Sequence, residues 1–97
     1  MLKHVVLLKF KTDTTDMDIQ DIEAGLAGLP GRIPEIKGYE LGRDVVRSDR
    51  SYDFGLVSAF VDQAGLKAYQ THPDHVGVVN KIRIACDSIV AVDFMTD

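Results

Sequence analysis

Three short runs in this chain are apolar on both of their faces, and that restricts the fold more than any other feature. From Leu2 to Lys11, one parity carries His4, Val6, Leu8 and Phe10, and the other carries Lys3, Val5, Leu7, Lys9 and Lys11. Tyr52 to Val61 alternates Phe54, Leu56, Ser58 and Phe60 against Gly55, Val57, Ala59 and Val61. Ser88 to Met95 sets Ile89, Ala91 and Asp93 against Val90, Val92 and Phe94. Side chains along a strand point alternately to opposite faces, so runs of this kind belong to a sheet covered on both sides. Ile36 to Val46, with Tyr39, Leu41, Val45 and Val46, reads as one more strand, which Gly38 and Gly42 either weaken or mark with bulges.

Helical spacing fills the intervals. Thr14, Thr15 or Asp16 can cap a helix whose apolar stripe is Ile19, Ile22, Leu26 and Leu29, and Gly28, Pro30, Gly31 and Pro34 end it. Asp62 can cap a second helix through Ala64, Leu66, Ala68 and Tyr69. Pro73 lacks an N–H and biases His72 away from helical geometry, so this helix should stop near Thr71 or His72 and a new one begin at about Asp74. The order β-α-β-β-α-β describes an α+β, ferredoxin-like βαββαβ domain: a four-stranded antiparallel sheet with helices on one face. Helices cover only one side. The second face is expected to be buried against another copy, giving a homodimer in which two sheets close into a dimeric α/β barrel.

Composition excludes several functions. With 97 residues and 45% hydrophobic content, a single domain over residues 1–97 is expected. The formal charge of −4 comes without a basic block, which argues against a nucleic-acid partner. The single cysteine, Cys86, precludes an internal disulfide and suits a reducing cytoplasm. The apolar run Val5 to Leu8 is too short for a membrane span or a signal segment, and Lys9 interrupts it, so no membrane partner is expected and a cytoplasmic location is.

Chemistry concentrates in Tyr69-Gln70-Thr71-His72-Pro73-Asp74-His75-Val76-Gly77. Tyr69 and His75 flank the helix break and can be turned toward one point. First and last strands are neighbours in a ferredoxin-like sheet, so His4 and Asp93 can lie close together under the helices. The candidate catalytic set is therefore His75, Tyr69 and Asp93, with Asp93 expected to pair with His75. His4, Val6, Leu8, Ile22, Leu26 and Ile89 are the candidate substrate-lining residues. An imidazole titrates near neutral pH and a carboxylate can fix its tautomer, a combination that suits general acid–base work. His72 adjoins the proline and is better placed for local backbone bonding. His72, Asp74, His75 and His4 form a poor metal set, and neither metal nor cofactor is expected. Cys86 has no base or cation beside it in sequence.

Four segments carry a family resemblance: Lys3-His4-Val5-Val6-Leu7-Leu8-Lys9-Phe10-Lys11, Tyr39-Glu40-Leu41-Gly42-Arg43-Asp44, Ala68-Tyr69 with His72-Pro73-Asp74-His75-Val76, and Val92-Asp93-Phe94. Together they resemble the stress-responsive A/B barrel (Dabb) family over nearly the whole chain. The resemblance implies a dimeric α+β barrel. Through a plant polyketide cyclase of that family, it also implies His75 as general base, Asp93 as its orienting partner, Tyr69 as oxyanion donor and His4 in the pocket wall, acting on a small hydrophobic or carbonyl ligand. Ile22, Glu23 and Leu26 stand where that cyclase has bulky aromatics, and Cys86 where it has a Trp, so the same substrate is not implied. The alternative is a non-catalytic stress-response structural or ligand-binding protein.

Overall fold

The computed structural model describes residues 1–97. Strand β1 (Leu2–Phe10) leads into helix α1 (Asp16–Ala27), a short 3-10 turn (Leu29–Gly31), strands β2 (Gly38–Arg43) and β3 (Phe54–Phe60), helices α2 (Gln63–Thr71) and α3 (Pro73–Ala85), and strand β4 (Cys86–Met95). The sheet is antiparallel in the order β2-β3-β1-β4, the ferredoxin-like arrangement.

Local chemistry sets the boundaries. Thr15 is the N-cap of α1, accepting from the Asp18 amide while the Asp18 carboxylate accepts from the Thr15 amide. Asp62 caps α2 by accepting from the Gly65 amide. The α2–α3 break falls at His72, which is at once the C-cap of one helix and the N-cap of the next, with Pro73 in the first turn of α3. The His72 ring nitrogen Nδ1 accepts from the Asp74 amide at 3.1 Å, so this imidazole is a capping group.

Two expectations require correction. Strand β2 is shorter than Ile36 to Val46, and no bulge occurs at Gly38 or Gly42, since pairing with β3 runs unbroken from Gly38–Ala59 to Arg43–Phe54. The strand stops because the Asp44 carboxylate accepts from the Arg47 amide at 2.7 Å, and Arg47, at φ 56°, turns the chain while its guanidinium bonds Asp53 at 2.8 Å. The register irregularity lies instead between Lys9 and Phe10, against β4.

The core lies between the sheet and the helices. Leu2, Leu8, Phe54, Leu56 and Phe60 meet Ile22, Leu26, Leu66, Tyr69, Val78 and Ile82. Gly25 permits this layer to close, because a Cβ there would lie 3.1 Å from Val78 Cγ2, where α1 and α3 cross. On the other face of the sheet, Leu7, Val57, Val90, Val92 and Phe94 remain between 38% and 56% exposed. Edge strand β4 is exposed along nearly its whole length. No helix is long and apolar enough to cross a membrane.

Candidate functional site

One transverse row of the sheet carries a polar side chain from every strand. Tyr39 on β2 opposes Ser58 on β3, Ser58 opposes His4 on β1, and His4 opposes Asp93 on β4. Directly opposed residues of antiparallel strands share a face about 4.5–5.5 Å apart. Period-two alternation places this row on the helix side, with Leu2, Val6, Leu8, Leu41 and Leu56. Ser58 is fully buried and its hydroxyl donates to the His4 carbonyl at 3.2 Å. The His4 ring, 7% exposed, donates through Nδ1 to the Asp93 carboxylate.

Tyr69 descends from α2 onto this row. It is 1% exposed and packs against four rings: His4 edge-on at 6.4 Å between centroids, Tyr39 edge-on at 6.1 Å, Phe60 at 5.1 Å and His75 at 4.1 Å. Its hydroxyl is 2.9 Å from that of Tyr39. Burial raises both phenols above their ordinary range, so both are protonated at neutral pH.

His75 sits in the first turn of α3 and reaches back to the Gln70 carbonyl, one of the unpaired acceptors at the end of α2, at 3.1 Å. A carbonyl only accepts, so Nδ1 carries the proton and Nε2, which has no partner within the chain, carries the lone pair. Desolvation lowers the affinity of this ring for a second proton, outweighing the favourable bond to Gln70, with smaller contributions from the His4 and His72 charges. The group is a neutral imidazole with a free basic nitrogen.

The expected site residues thus separate into two sets. His4, Tyr69, His75 and Asp93 gather at one end of the sheet. Asp93, however, pairs with His4 and not with His75, because the strand register places the carboxylate opposite His4 whereas His75 is already held by backbone. Leu8, Ile22 and Leu26 are 1–2% exposed within the packed core, and Val6 packs against it. Ile89 lies on the helix side opposite Leu8 but at the uncovered edge strand, where it is 42% exposed.

Nor is there one apolar chamber under the helices. Tyr69 is in the wall of none of the principal concavities. A groove of about 790 Å³ between α2 and the end of β4 has Leu2, Leu66, Lys67, Gln70, Asp93 and Phe94 among its walls. A smaller one of about 290 Å³ along α3 contains His75, Asn80 and Arg83. Gln70 borders both grooves, with Asp93 in the wall of the first and His75 in the wall of the second. No three His, Cys, Asp or Glu side chains are grouped to hold a metal ion. Cys86 is buried, with its thiol pushed up to about 11 by desolvation and the nearby Asp53 and Asp87 charges, which leaves it a poor nucleophile.

Tyr39 is the site residue that strand-by-strand reading overlooks. Its parity with Leu41 is a signal in the sequence, but only the seating of α2 across the sheet brings Tyr69 to it.

Comparison with known proteins agrees with this architecture. The sequence profile described as the Stress responsive A/B Barrel Domain (Dabb) matches residues 2–96. A stress-response A/B barrel domain-containing protein of Arabidopsis thaliana is 32% identical over 95 residues, covering 95% of this chain and 83% of the relative. Olivetolic acid cyclase of Cannabis sativa is 25% identical over 95 residues, covering 96% of this chain and 94% of the cyclase. Among solved structures, a dimeric ferredoxin-like protein of unknown function from Thermobifida fusca superimposes with a TM-score of 0.90 at 32% identity, over 98% of this chain and 90% of that one. With the fold, the paired helices and nearly its full length in agreement, the chain belongs to the stress-responsive A/B barrel (Dabb) domain family.

Proposed function

We propose that this chain works as a homodimer that binds a small carbonyl compound of polyketide-like character beside His75 and Tyr69, and that it moves a proton on that compound as an isomerase or cyclase would. The observation that carries this reading is the state of His75: a neutral imidazole, Nδ1 tied to the Gln70 carbonyl, Nε2 without a protein partner, its ring 4.1 Å from that of Tyr69. Nε2 would take a proton from the carbon next to a carbonyl. The C–H electron pair would become the C=C bond of an enolate as the C=O π pair moves onto oxygen, and the Tyr69 hydroxyl would donate to that oxygen. The imidazolium then returns the proton to carbon, or, where the enolate carbon has attacked a second carbonyl of the same molecule and closed a ring, to the alkoxide oxygen formed as that C=O π bond breaks. Asp93, paired with His4, would hold that second imidazole in one orientation at the edge of the site. That the cannabis relative is a cyclase supports the same class of chemistry.

The test is exchange of carbon-bound hydrogen in deuterium oxide, followed by NMR on aromatic and polyketide-like ketones. Exchange faster than the buffer rate that falls by at least ~100-fold in His75→Gln is the expected result. Exchange at the buffer rate with every ketone, or unchanged in His75→Gln, rules the reading out.

A non-catalytic role is favoured by one observation, the sealing of Tyr69 among four rings. Under that reading His75 serves the fold, and His75→Ala would destabilise the chain as much as a core truncation while no ketone raised its melting temperature.

A further inference from the structure

Tyr39 ends the transverse row that starts at Asp93, and it is the strand residue whose hydroxyl pairs with that of the buried Tyr69. Its oxygen is 2.9 Å from that of Tyr69, and neither phenol makes another hydrogen bond within the chain. Two O–H groups sharing one hydrogen bond leave one proton over. The pair can be ordered in two ways. If Tyr69 donates to Tyr39, the Tyr69 proton is used inside the pair and the deep hydroxyl has nothing to donate to a ligand oxygen. If Tyr39 donates, Tyr69 keeps its proton, and that O–H is polarised by the bond it accepts. The anchoring is asymmetric as well: Tyr39 is fixed in the sheet opposite Ser58, whereas Tyr69 rides on the short helix α2. The edge-to-face contact between their rings restricts both hydroxyls to one another's reach.

Building on the reading of Tyr69 as oxyanion donor, we propose that Tyr39 is a positioning residue of this site, donating its hydroxyl proton to Tyr69 so that the Tyr69 proton is left for the ligand oxygen. Tyr39 acts through Tyr69 and touches no reacting atom. In a Dabb chain with an apolar residue at this place, the tyrosine would stand without that support.

Two measurements separate this proposal from the reading beneath it. In the first, the three tyrosines are replaced by fluorotyrosine, which lowers phenol titration into a range that folded protein tolerates, and are followed by fluorine NMR without ligand. In Tyr39→Phe the Tyr69 phenolate loses its donor, so the Tyr69 titration moves to higher pH. An unmoved titration overturns the proposal whatever the ligand. The second uses para-nitrophenolate as a probe oxyanion, followed by absorbance. Tyr39→Phe is expected to weaken phenolate binding roughly tenfold and to shift the pH profile of binding toward the neutral phenol, while the unfolding temperature falls by only about 4–8 °C, the loss of one hydrogen bond. Tyr69→Phe weakens binding at least as much. If Tyr69→Phe weakens binding and Tyr39→Phe leaves it unchanged, the role of Tyr39 is refuted and the reading of Tyr69 stands. If binding is absent or indifferent to Tyr69→Phe, the oxyanion-donor reading falls and the role of Tyr39 with it.

Discussion

His4 on the first strand and Asp93 on the last are directly opposed in the sheet register, and the Nδ1–H of His4 donates to the Asp93 carboxylate. The two residues are separated by 89 positions in sequence, so only the adjacency of β1 and β4 brings them together. The imidazole is nearly buried while the carboxylate stays open to the α2–β4 groove. One tautomer of His4 is therefore held, with its far nitrogen unpaired inside the chain.

Removing the acceptor should strand a ring N–H that is almost out of reach of water. Asp93→Ala is expected to lose about 1–3 kcal/mol, toward the lower end because water reaches the Asp93 side, and Asp93→Asn, which keeps an acceptor oxygen, to lose less. Urea unfolding of the two variants checks this, and equal losses would show that the bond contributes nothing.

Tyr69 is both a core side chain and a hydroxyl, and the two parts separate by substitution. Tyr69→Ala removes a fully buried ring and is expected to destabilise by about 3–5 kcal/mol. Tyr69→Phe removes only the bond to Tyr39, about 1 kcal/mol. Denaturant midpoints near one another for the two variants would contradict the packing described.

His75 makes folding pH-dependent in a direction that can be derived. Its folded-state proton affinity lies below the ordinary value of 6.5, chiefly through desolvation. Above that value the ring is neutral in both states and stability does not depend on it. Below it the unfolded chain binds the proton first, so stability declines as pH falls through the window down to the folded-state value. Between about pH 8 and about pH 5, the parent should lose more stability than His75→Gln. Parallel pH profiles for the two proteins would exclude this linkage.

The uncovered sheet face offers a test of assembly. Glu40, Val57, Val5 and Val92 form one row across it, on the parity opposite to the site. A face this apolar is expected to be buried in a two-fold dimer. The parent should sediment as a dimer, and Val57→Glu with Val92→Glu as a folded monomer. A monomeric parent would remove the need for a second copy.

Much of this protein was legible before any coordinates. Short runs rich in Val, Leu and Phe with period-two alternation specify the strands, because side-chain direction along a strand depends on local geometry alone. The His-Pro step marks the break between α2 and α3 for a similar reason, since proline acts on its immediate neighbours. The gathering of His4, Tyr69 and His75 also followed from element order. What the sequence could not reveal was pairing. The nearness of His4 and Asp93 also follows from the adjacency of first and last strands, but the register of β1 on β4 gives the carboxylate to His4 instead of His75, and the seating of helix α2 on the sheet brings Tyr69 to Tyr39, 30 positions away. Leu8, Ile22 and Leu26 are buried in the core, and Ile22 also borders a groove between α1 and α3, since close packing is a property of layers meeting in space. Local chemistry determined which groups this chain brings to its site; the tertiary structure decided which of them touch.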